Sequence, residues 1–350
     1  MNMNHKHKLI KFSRILLARK ISEPLNSLLF ILLKVYNYEL IYFKYFKTTK
    51  LRTLLKSTIK RSHYTKFLQL FLKRLNHFPI QYMIGKWYFR KIIVDCERPV
   101  LIPRIETEKI VELAHKLCQH VQQKKRINHN KNYKENSEDD FNIKFMEIGV
   151  GTGAIFISII KEYFNSNTNS KIERNLSKGE IKFVGIDIEP KCIELSKRNV
   201  DKILMNAHKS KENSINPEIS YNTINYPNFK IDLINCDFNE YLPNTTDENE
   251  KFDFIVSNPP YIKTSANNVM LDVSKHESKI ALFSGEDGLH LIKNIICKSR
   301  DLVRVGGFVI LEIDPEQMNQ LIDIMIRNNF KYFYFEKDLF GRDRFLIYHV

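Results

Sequence analysis

Between Leu28 and Leu75 apolar and aromatic residues return at every third or fourth position, with Lys and Arg set between them. Leu51, Leu54, Leu55 and Ile59 follow this spacing, as do Phe67, Leu70 and Phe71. That is the period of an amphipathic helix, and it predicts a small helical domain whose aromatics are mostly core. Phe78-Pro79-Ile80 ends it, because a residue before proline leaves the helical region. Trp87-Tyr88-Phe89 followed by Ile92-Ile93-Val94 reads as a β-hairpin that bridges to the next part of the chain.

From Phe145 onward the period changes. Short apolar strands are predicted at Phe145–Ile148, Ile181–Ile186, Phe229–Ile234, Phe252–Val256 and Phe308–Ile313. Helical segments lie among them at Ala154–Phe164, Pro190–Val200 and Gly288–Leu302. Strand–helix alternation predicts an α/β fold, a mostly parallel sheet with helices on both faces. The last two strands, Tyr332–Phe335 and Phe345–Tyr348, are close enough in sequence to pair antiparallel at an edge. Three Asn/Lys/Ser-rich inserts, Arg126–Asn142, Asn165–Glu180 and Lys209–Asn228, are poor in apolar residues and are expected to be surface loops.

Composition narrows the class. The apolar stretch Leu25–Leu33 stops at Lys34, short of the roughly 20 residues a membrane span needs, so stable membrane insertion is not expected. The five cysteines are scattered without a Cys-x-x-Cys pair, which argues against a disulfide framework and a cysteine-based zinc site. No metal is expected. The formal net charge of +15 is unevenly spread: Met1 to Val94 holds twenty Lys/Arg against Glu23 and Glu39, a net of +18, and the remainder nets −3. Residues 1–22 hold six Lys/Arg and no acid, and Ile10, Phe12, Ile15 and Leu16 are expected to share one helical face. Basic, acid-free and amphipathic is the pattern of an organelle presequence, which makes 1–22 a candidate mitochondrial targeting segment. The competing reading is a basic first helix of the folded protein. The expected division is then 1–22, a helical domain at 23–77, to which the resemblance drawn below gives a substrate-binding role, a hairpin linker at 78–110 and the α/β domain at 111–350.

Two loops carry chemistry. Met146-Glu147-Ile148-Gly149-Val150-Gly151-Thr152-Gly153-Ala154 is a strand, a glycine-rich turn and a helix start. Glycines allow close approach of a ligand and expose backbone N–H groups at a helix N-terminus. The Gly-x-Gly-x-Gly spacing with Glu147 just before it favours S-adenosyl-L-methionine over a dinucleotide. Asp187 at the end of the second strand is placed to accept from two ribose hydroxyls. Asp237 and Phe238, after the third strand, are expected at the adenine, the carboxylate on its amino group and the ring stacked on its face.

The second loop is Ser257-Asn258-Pro259-Pro260-Tyr261, after the apolar strand Phe252–Val256. Its prolines lack N–H groups, so the turn presents acceptors. The Asn258 side-chain oxygen and the Pro259 carbonyl together suit the two hydrogens of a planar –NH2 group, and Tyr261 offers a face against it. Holding both hydrogens aims the nitrogen lone pair at a methyl donor, so placement matters more than a strong base. Glutamine, asparagine, adenine N6 and cytosine N4 all fit this description.

Taken together the segments resemble the HemK/PrmC family of protein-(glutamine-N5) methyltransferases, over about Phe78 to Val350. The likeness is carried by Pro79–Gly85, Val100-Leu101-Ile102-Pro103-Arg104-Ile105-Glu106-Thr107-Glu108, both loops, and Ala281–Leu289. It closes with Leu311-Glu312-Ile313, Gln317 and Gly341-Arg342-Asp343-Arg344. The resemblance implies a seven-stranded Rossmann-like class I S-adenosyl-L-methionine-dependent methyltransferase domain, preceded by a small helical domain and a hairpin. By position it implies cofactor contacts from Gly149, Val150, Gly151, Thr152, Gly153, Asp187, Phe238 and Asn258, with Asn258, Pro259, Pro260 and Tyr261 on the glutamine. The implied substrate is the glutamine of the Gly-Gly-Gln loop of a class I peptide-chain release factor, with direct nucleic-acid binding not required. Two positions depart from the pattern: Ile105 replaces a usual proline, and Arg90-Lys91 stand where glycine is common. The rival readings are an N6-adenine nucleic-acid methyltransferase and a non-enzymatic assembly factor with the same fold.

Overall fold

A computed structural model of the chain describes residues 5–37, 60–131, 142–166, 181–205, 223–226, 229–241 and 248–350. Two compact units are present. One comprises Met1–Trp87, Asp95–Ile102 and Asn268–Ser278, and the other Tyr88–Val94, Pro103–Asn267 and Lys279–Val350.

The first unit is helical, with α1 (His5–Ala18), α2 (Pro24–Val35), α3 (Arg61–Leu75) and α4 (Ile80–Ile84). Helix α2 buries Leu28–Leu33 and Val35 all around its girth, the signature of a central helix. Helix α1 buries Leu9 and Leu16 and sets the Phe12 ring 4.6 Å from Phe71 and 5.5 Å from Phe67. The inward stripe is therefore 9, 12 and 16, not the face expected for Ile10 and Ile15, which are 44% and 39% exposed. The predicted stripe at Leu51, Leu54, Leu55 and Ile59 lies outside the described residues. Buried Arg74 ties the unit together. Its guanidinium pairs with Asp272 at 2.6 Å and donates to Ser27 Oγ at 3.1 Å, while His77 Nδ1 lies 2.8 Å from the other Asp272 oxygen. Asp272 sits on the short helix Leu271–Ser274, so a segment expected in the α/β domain is instead part of the helical unit.

The predicted hairpin forms from β1 (Lys86–Phe89) and β2 (Ile92–Asp95). Its turn puts Arg90 at φ 49°, which explains why glycine suits the position. Here the guanidinium compensates. Nε and Nη2 reach the Glu162 carboxylate at 2.5 and 2.8 Å, and the Arg90 N–H donates to Glu108 Oε1 at 2.8 Å.

The second unit follows the predicted alternation: α5 (Glu108–Lys131), β3 (Ile143–Ile148), α6 (Ala154–Ser166), β4 (Ile181–Asp187), α7 (Pro190–Val200), β5 (Thr223–Tyr226), β6 (Phe229–Asn235), β7 (Phe252–Ser257), α8 (His290–Leu302), β8 (Val303–Glu312), α9 (Met318–Arg327), β9 (Phe333–Lys337) and β10 (Asp343–His349). The sheet order is β5-β6-β4-β3-β7-β8-β10-β9, with β6, β4, β3, β7 and β8 parallel and β10 and β9 antiparallel at the edge. Setting β5 aside, this is the seven-stranded arrangement of a class I methyltransferase. Strand β5 is a correction, since its four residues come from the third insert, expected as loop. They pair antiparallel with β6 and add an eighth strand. The first insert also begins later than expected, because α5 continues through Lys131.

A row of phenylalanines fixes the register. Phe145 stacks on Phe183 at 4.9 Å and on Phe254 at 4.8 Å, and both are its cross-strand partners. Phe308, opposite Phe254, continues the row at 6.1 Å. Such cross-strand pairs penalise a slip of the register. The sheet order reverses around β3, which creates a switch point at the carboxyl ends of its neighbours.

Candidate active site

Four strand ends meet at that switch point. Ile148 is opposite both Ile186 and Ser257, so the residues that follow, Gly149 on one strand and Asn258 on the other, leave adjacent strands side by side. Gly149, Gly151 and Gly153 have φ of 76°, 51° and 78°, conformations that side chains disfavour. Nothing lies within 4 Å of where a Gly149 Cβ would be, so the turn is open there, while a Cβ at Gly153 would meet the Phe156 ring at 2.9 Å. The expected free N–H groups are corrected. Gly149 and Val150 donate to Ile186 O at 2.8 and 3.2 Å, Gly153 to Val150 O at 2.7 Å, and Gly151 to Asp187 Oδ2 at 3.0 Å. The loop offers close approach rather than a nest of donors. Buried Thr152 turns its carbonyl to Asn199 Nδ2. Glu147 is fully buried and accepts from the Phe156 N–H in the first turn of α6, and burial holds its carboxyl well above the usual range.

Asp187 lies beneath this loop, 9% exposed. Its oxygens accept from the N–H groups of Gly151 and Glu189, and burial pushes its carboxyl upward. The Cys192 thiol is a third donor to this carboxylate, so three of its four lone pairs are engaged inside the protein. Asp237 is half-buried and accepts from Asn239 N–H at 2.8 Å. Phe238 corrects an expectation. Its ring is 4% exposed, belongs to the core and carries Lys298 Nζ 5.2 Å above it, so it presents no open face for stacking. The exposed apolar side chain at this edge is Ile188, directly after Asp187 and 46% exposed, which alternation along β4 did not single out.

The acceptor loop is clamped from several sides. Asn258 is half-buried and Pro259 buried. Gln317 Nε2 donates to Tyr261 O at 3.0 Å and to Asp287 O at 3.1 Å. Gly288, at φ 75°, lets the chain pass so close that a Cβ there would sit 2.3 Å from Tyr261 O. The Tyr261 hydroxyl donates to Glu312 Oε1 at 3.2 Å, the Arg344 guanidinium lies 6.0 Å from the ring centre, and burial raises the phenol so that it stays neutral. Asn258 Nδ2 donates to Thr107 Oγ1 at 3.1 Å, so the Oδ1 end of the carboxamide is the one turned away from Thr107. Thr107, Gly288, Glu312 and Gln317 were present in the segments of the resemblance but had no role assigned. Thr107 and Glu312 are 205 residues apart, and no local pattern links them.

Among the described residues no group of three or more His, Cys, Asp and Glu is placed to hold a metal ion, and no helix is long and apolar enough to cross a membrane. The sheet order, the glycine turn after β3 and the acid after β4 define a class I methyltransferase domain. A family model described as Eco57I restriction-modification methylase matches residues 181–307. The chain is 30% identical over 285 residues to the bifunctional methyltransferase of Rickettsia prowazekii, covering 79% of this chain and 46% of that one. It is 29% identical over 287 residues to the release factor glutamine methyltransferase of Clostridium botulinum, covering 82% of this chain and 81% of that one. The likeness to release factor glutamine methyltransferases thus spans most of this chain, while the chain spans about half the length of the Rickettsia relatives. Among solved structures it resembles the human methyltransferase 10 domain containing protein, at 14% identity over 73% of this chain and 88% of that one, with a TM-score of 0.41, a level that carries no weight of its own.

Proposed function

We propose that the chain transfers a methyl group from S-adenosyl-L-methionine to the side-chain amide nitrogen of the glutamine in the Gly-Gly-Gln loop of a class I peptide-chain release factor, in support of translation termination. The observation that carries this reading is the adjacency of two loops: the open glycine turn after β3 and Asn258-Pro259-Pro260-Tyr261 after β7 leave paired strands in register. The residues suit the cofactor, since bare backbone at Gly149 gives room and buried Asp187 keeps acceptor capacity beside it. When bound, S-adenosyl-L-methionine supplies an electrophilic methyl carbon. Gly149 to Gly153, Asp187, Asp237 and Asn258 would hold it, with Ile188 as an apolar wall.

The acceptor side needs orientation more than a base. Asn258 Oδ1 and the Pro259 carbonyl accept the two amide hydrogens, so electron density rises at nitrogen and its lone pair is aimed. Tyr261 and Pro260 wall the flat carboxamide. Tyr261 stays neutral because burial raises its phenol, and its hydroxyl is turned inward to Glu312. Asn258→Ala removes one of the two acceptors. Its turnover is expected to fall by about 10²-fold or more, with melting nearly unchanged. The test incubates the full chain with labelled methyl donor and a release factor, then weighs the Gly-Gly-Gln peptide. An unmodified peptide with wild-type chain rejects the substrate, and full activity of Asn258→Ala rejects the residue's role.

A second reading is favoured by one finding, the match of residues 181–307 to a restriction-modification methylase. It predicts adenine methylation with salt-sensitive nucleic-acid binding, and the same labelled donor offered DNA and RNA separates the two. The acid-free basic segment 1–22 supports a mitochondrial site of action, which a fluorescent fusion of the full chain would locate.

A further inference from the structure

Behind the acceptor loop runs a chain of hydrogen bonds outside the roles proposed so far. Glu312, at the carboxyl end of β8, is 1% exposed. Its Oε2 accepts from Thr107 Oγ1 at 2.6 Å and its Oε1 from the Tyr261 hydroxyl at 3.2 Å. Thr107, itself 4% exposed and just before α5, lies 3.1 Å from Asn258 Nδ2.

A hydroxyl has one hydrogen and two lone pairs. With the Thr107 hydrogen committed to a carboxylate, only a lone pair remains for Asn258. Asn258 must then turn its NH2 toward Thr107, and its oxygen falls at the other end of the planar amide. If Glu312 carried a proton it could donate to Thr107 instead. The Thr107 hydrogen would be released to donate to Asn258 Oδ1, and the carboxamide would have reason to turn round. An Asn258 turned round offers donors to a donor, and an –NH2 substrate is repelled.

We infer that Thr107 and Glu312 are positioning residues, a two-member relay whose direction sets which end of the Asn258 carboxamide faces the methyl acceptor. This rests on the proposed role of Asn258 and assigns the relay no contact with substrate. The groups facing Glu312 are Thr107, Tyr261, the Arg344 guanidinium on β10 and, at longer range, Glu106. Burial outweighs Arg344 and the two hydroxyl donors and moves the Glu312 carboxyl up to about 7. The relay therefore reverses within the neutral range, and turnover should rise with pH through about 7.

The test uses the full chain, a Gly-Gly-Gln peptide and S-adenosyl-L-methionine. Thr107→Val keeps the side-chain shape and removes the hydroxyl. It should lower kcat by roughly tenfold to a hundredfold while cofactor affinity stays as in wild type. Thr107→Ser restores the hydroxyl and should recover most of the rate. Glu312→Gln should erase the rise in kcat near pH 7. In 15N-asparagine-labelled protein, the Asn258 side-chain NH2, assigned by its loss in Asn258→Ala, should be slow to exchange in wild type and fast in Thr107→Val. An unaltered kcat in Thr107→Val, or an unaltered NH2 signal, overturns the relay. If wild-type chain leaves the peptide unmodified, the glutamine reading fails by itself, and the NH2 signal alone then decides the relay.

Discussion

Gly288 is tightly confined beside the acceptor loop. Its φ of 75° disfavours any side chain, and a Cβ would meet the Tyr261 carbonyl at 2.3 Å and Gln317 Nε2 at 2.7 Å. A carbonyl cannot move aside as the tip of a side chain does. Gly288→Ala should cost roughly 2–4 kcal/mol and shift Asn258-Pro259-Pro260-Tyr261, so urea unfolding and kcat should fall together. Asp187 divides its effects differently, because its oxygens serve the Gly151 and Glu189 N–H groups as well as the proposed cofactor contact. Asp187→Ala should weaken cofactor binding about tenfold or more and loosen the glycine turn by roughly 1–3 kcal/mol, read by calorimetric titration and melting. Unchanged affinity would remove Asp187 from the site. Arg90 carries the opposite lesson. A positive φ ordinarily favours glycine, and here an arginine holds 49° with Glu162 and Glu108 binding its head and its N–H.

At the scale of elements, α1 bears on the fate of the leading segment. Leu9 and Leu16 are buried, and Phe12 lies against Phe67 and Phe71 of α3. A segment removed on import has no reason to hold core positions. Removal of residues 1–22 should therefore destabilise the helical unit, and Leu16→Ala alone should cost about 2–4 kcal/mol in chemical unfolding. A deletion that melts like the full chain would return the segment to a purely targeting role. The Arg74–Asp272 pair reaches the same unit from the far end of the sequence. The hydrophobic period located α2, α3 and every strand of the sheet but β5. That strand lies in a polar insert, and its pairing with β6 exists only because an edge was open to it.

For the molecule as a whole, the buried carboxylates oppose stability to function. Glu312 is raised from the ordinary range to about 7, so folding favours its protonated form. Its unfolded form loses the proton near pH 4.5, the folded form near 7, and stability therefore declines as pH rises between them. Glu312→Gln should be more stable than wild type by about 2–3 kcal/mol at pH 8 and equal to it at pH 4, while being the slower enzyme. A destabilised variant at pH 8 would contradict the burial cost.

The sequence by itself determined the alternation of strands and helices, the helical unit before it, and the identity of the two loops. Each is written within ten or so neighbouring residues, where period, glycine spacing and proline stiffness act locally. Only the tertiary structure decided that Phe238 is core, that the glycine turn spends its N–H groups on Ile186, Val150 and Asp187, and that Asn258-Pro259-Pro260-Tyr261 is held by Thr107, Gly288, Glu312 and Gln317. Those contacts join residues far apart in the chain. Sheet register brings them together, and a hydrogen bond depends on where two atoms finally lie, which no one-dimensional pattern encodes.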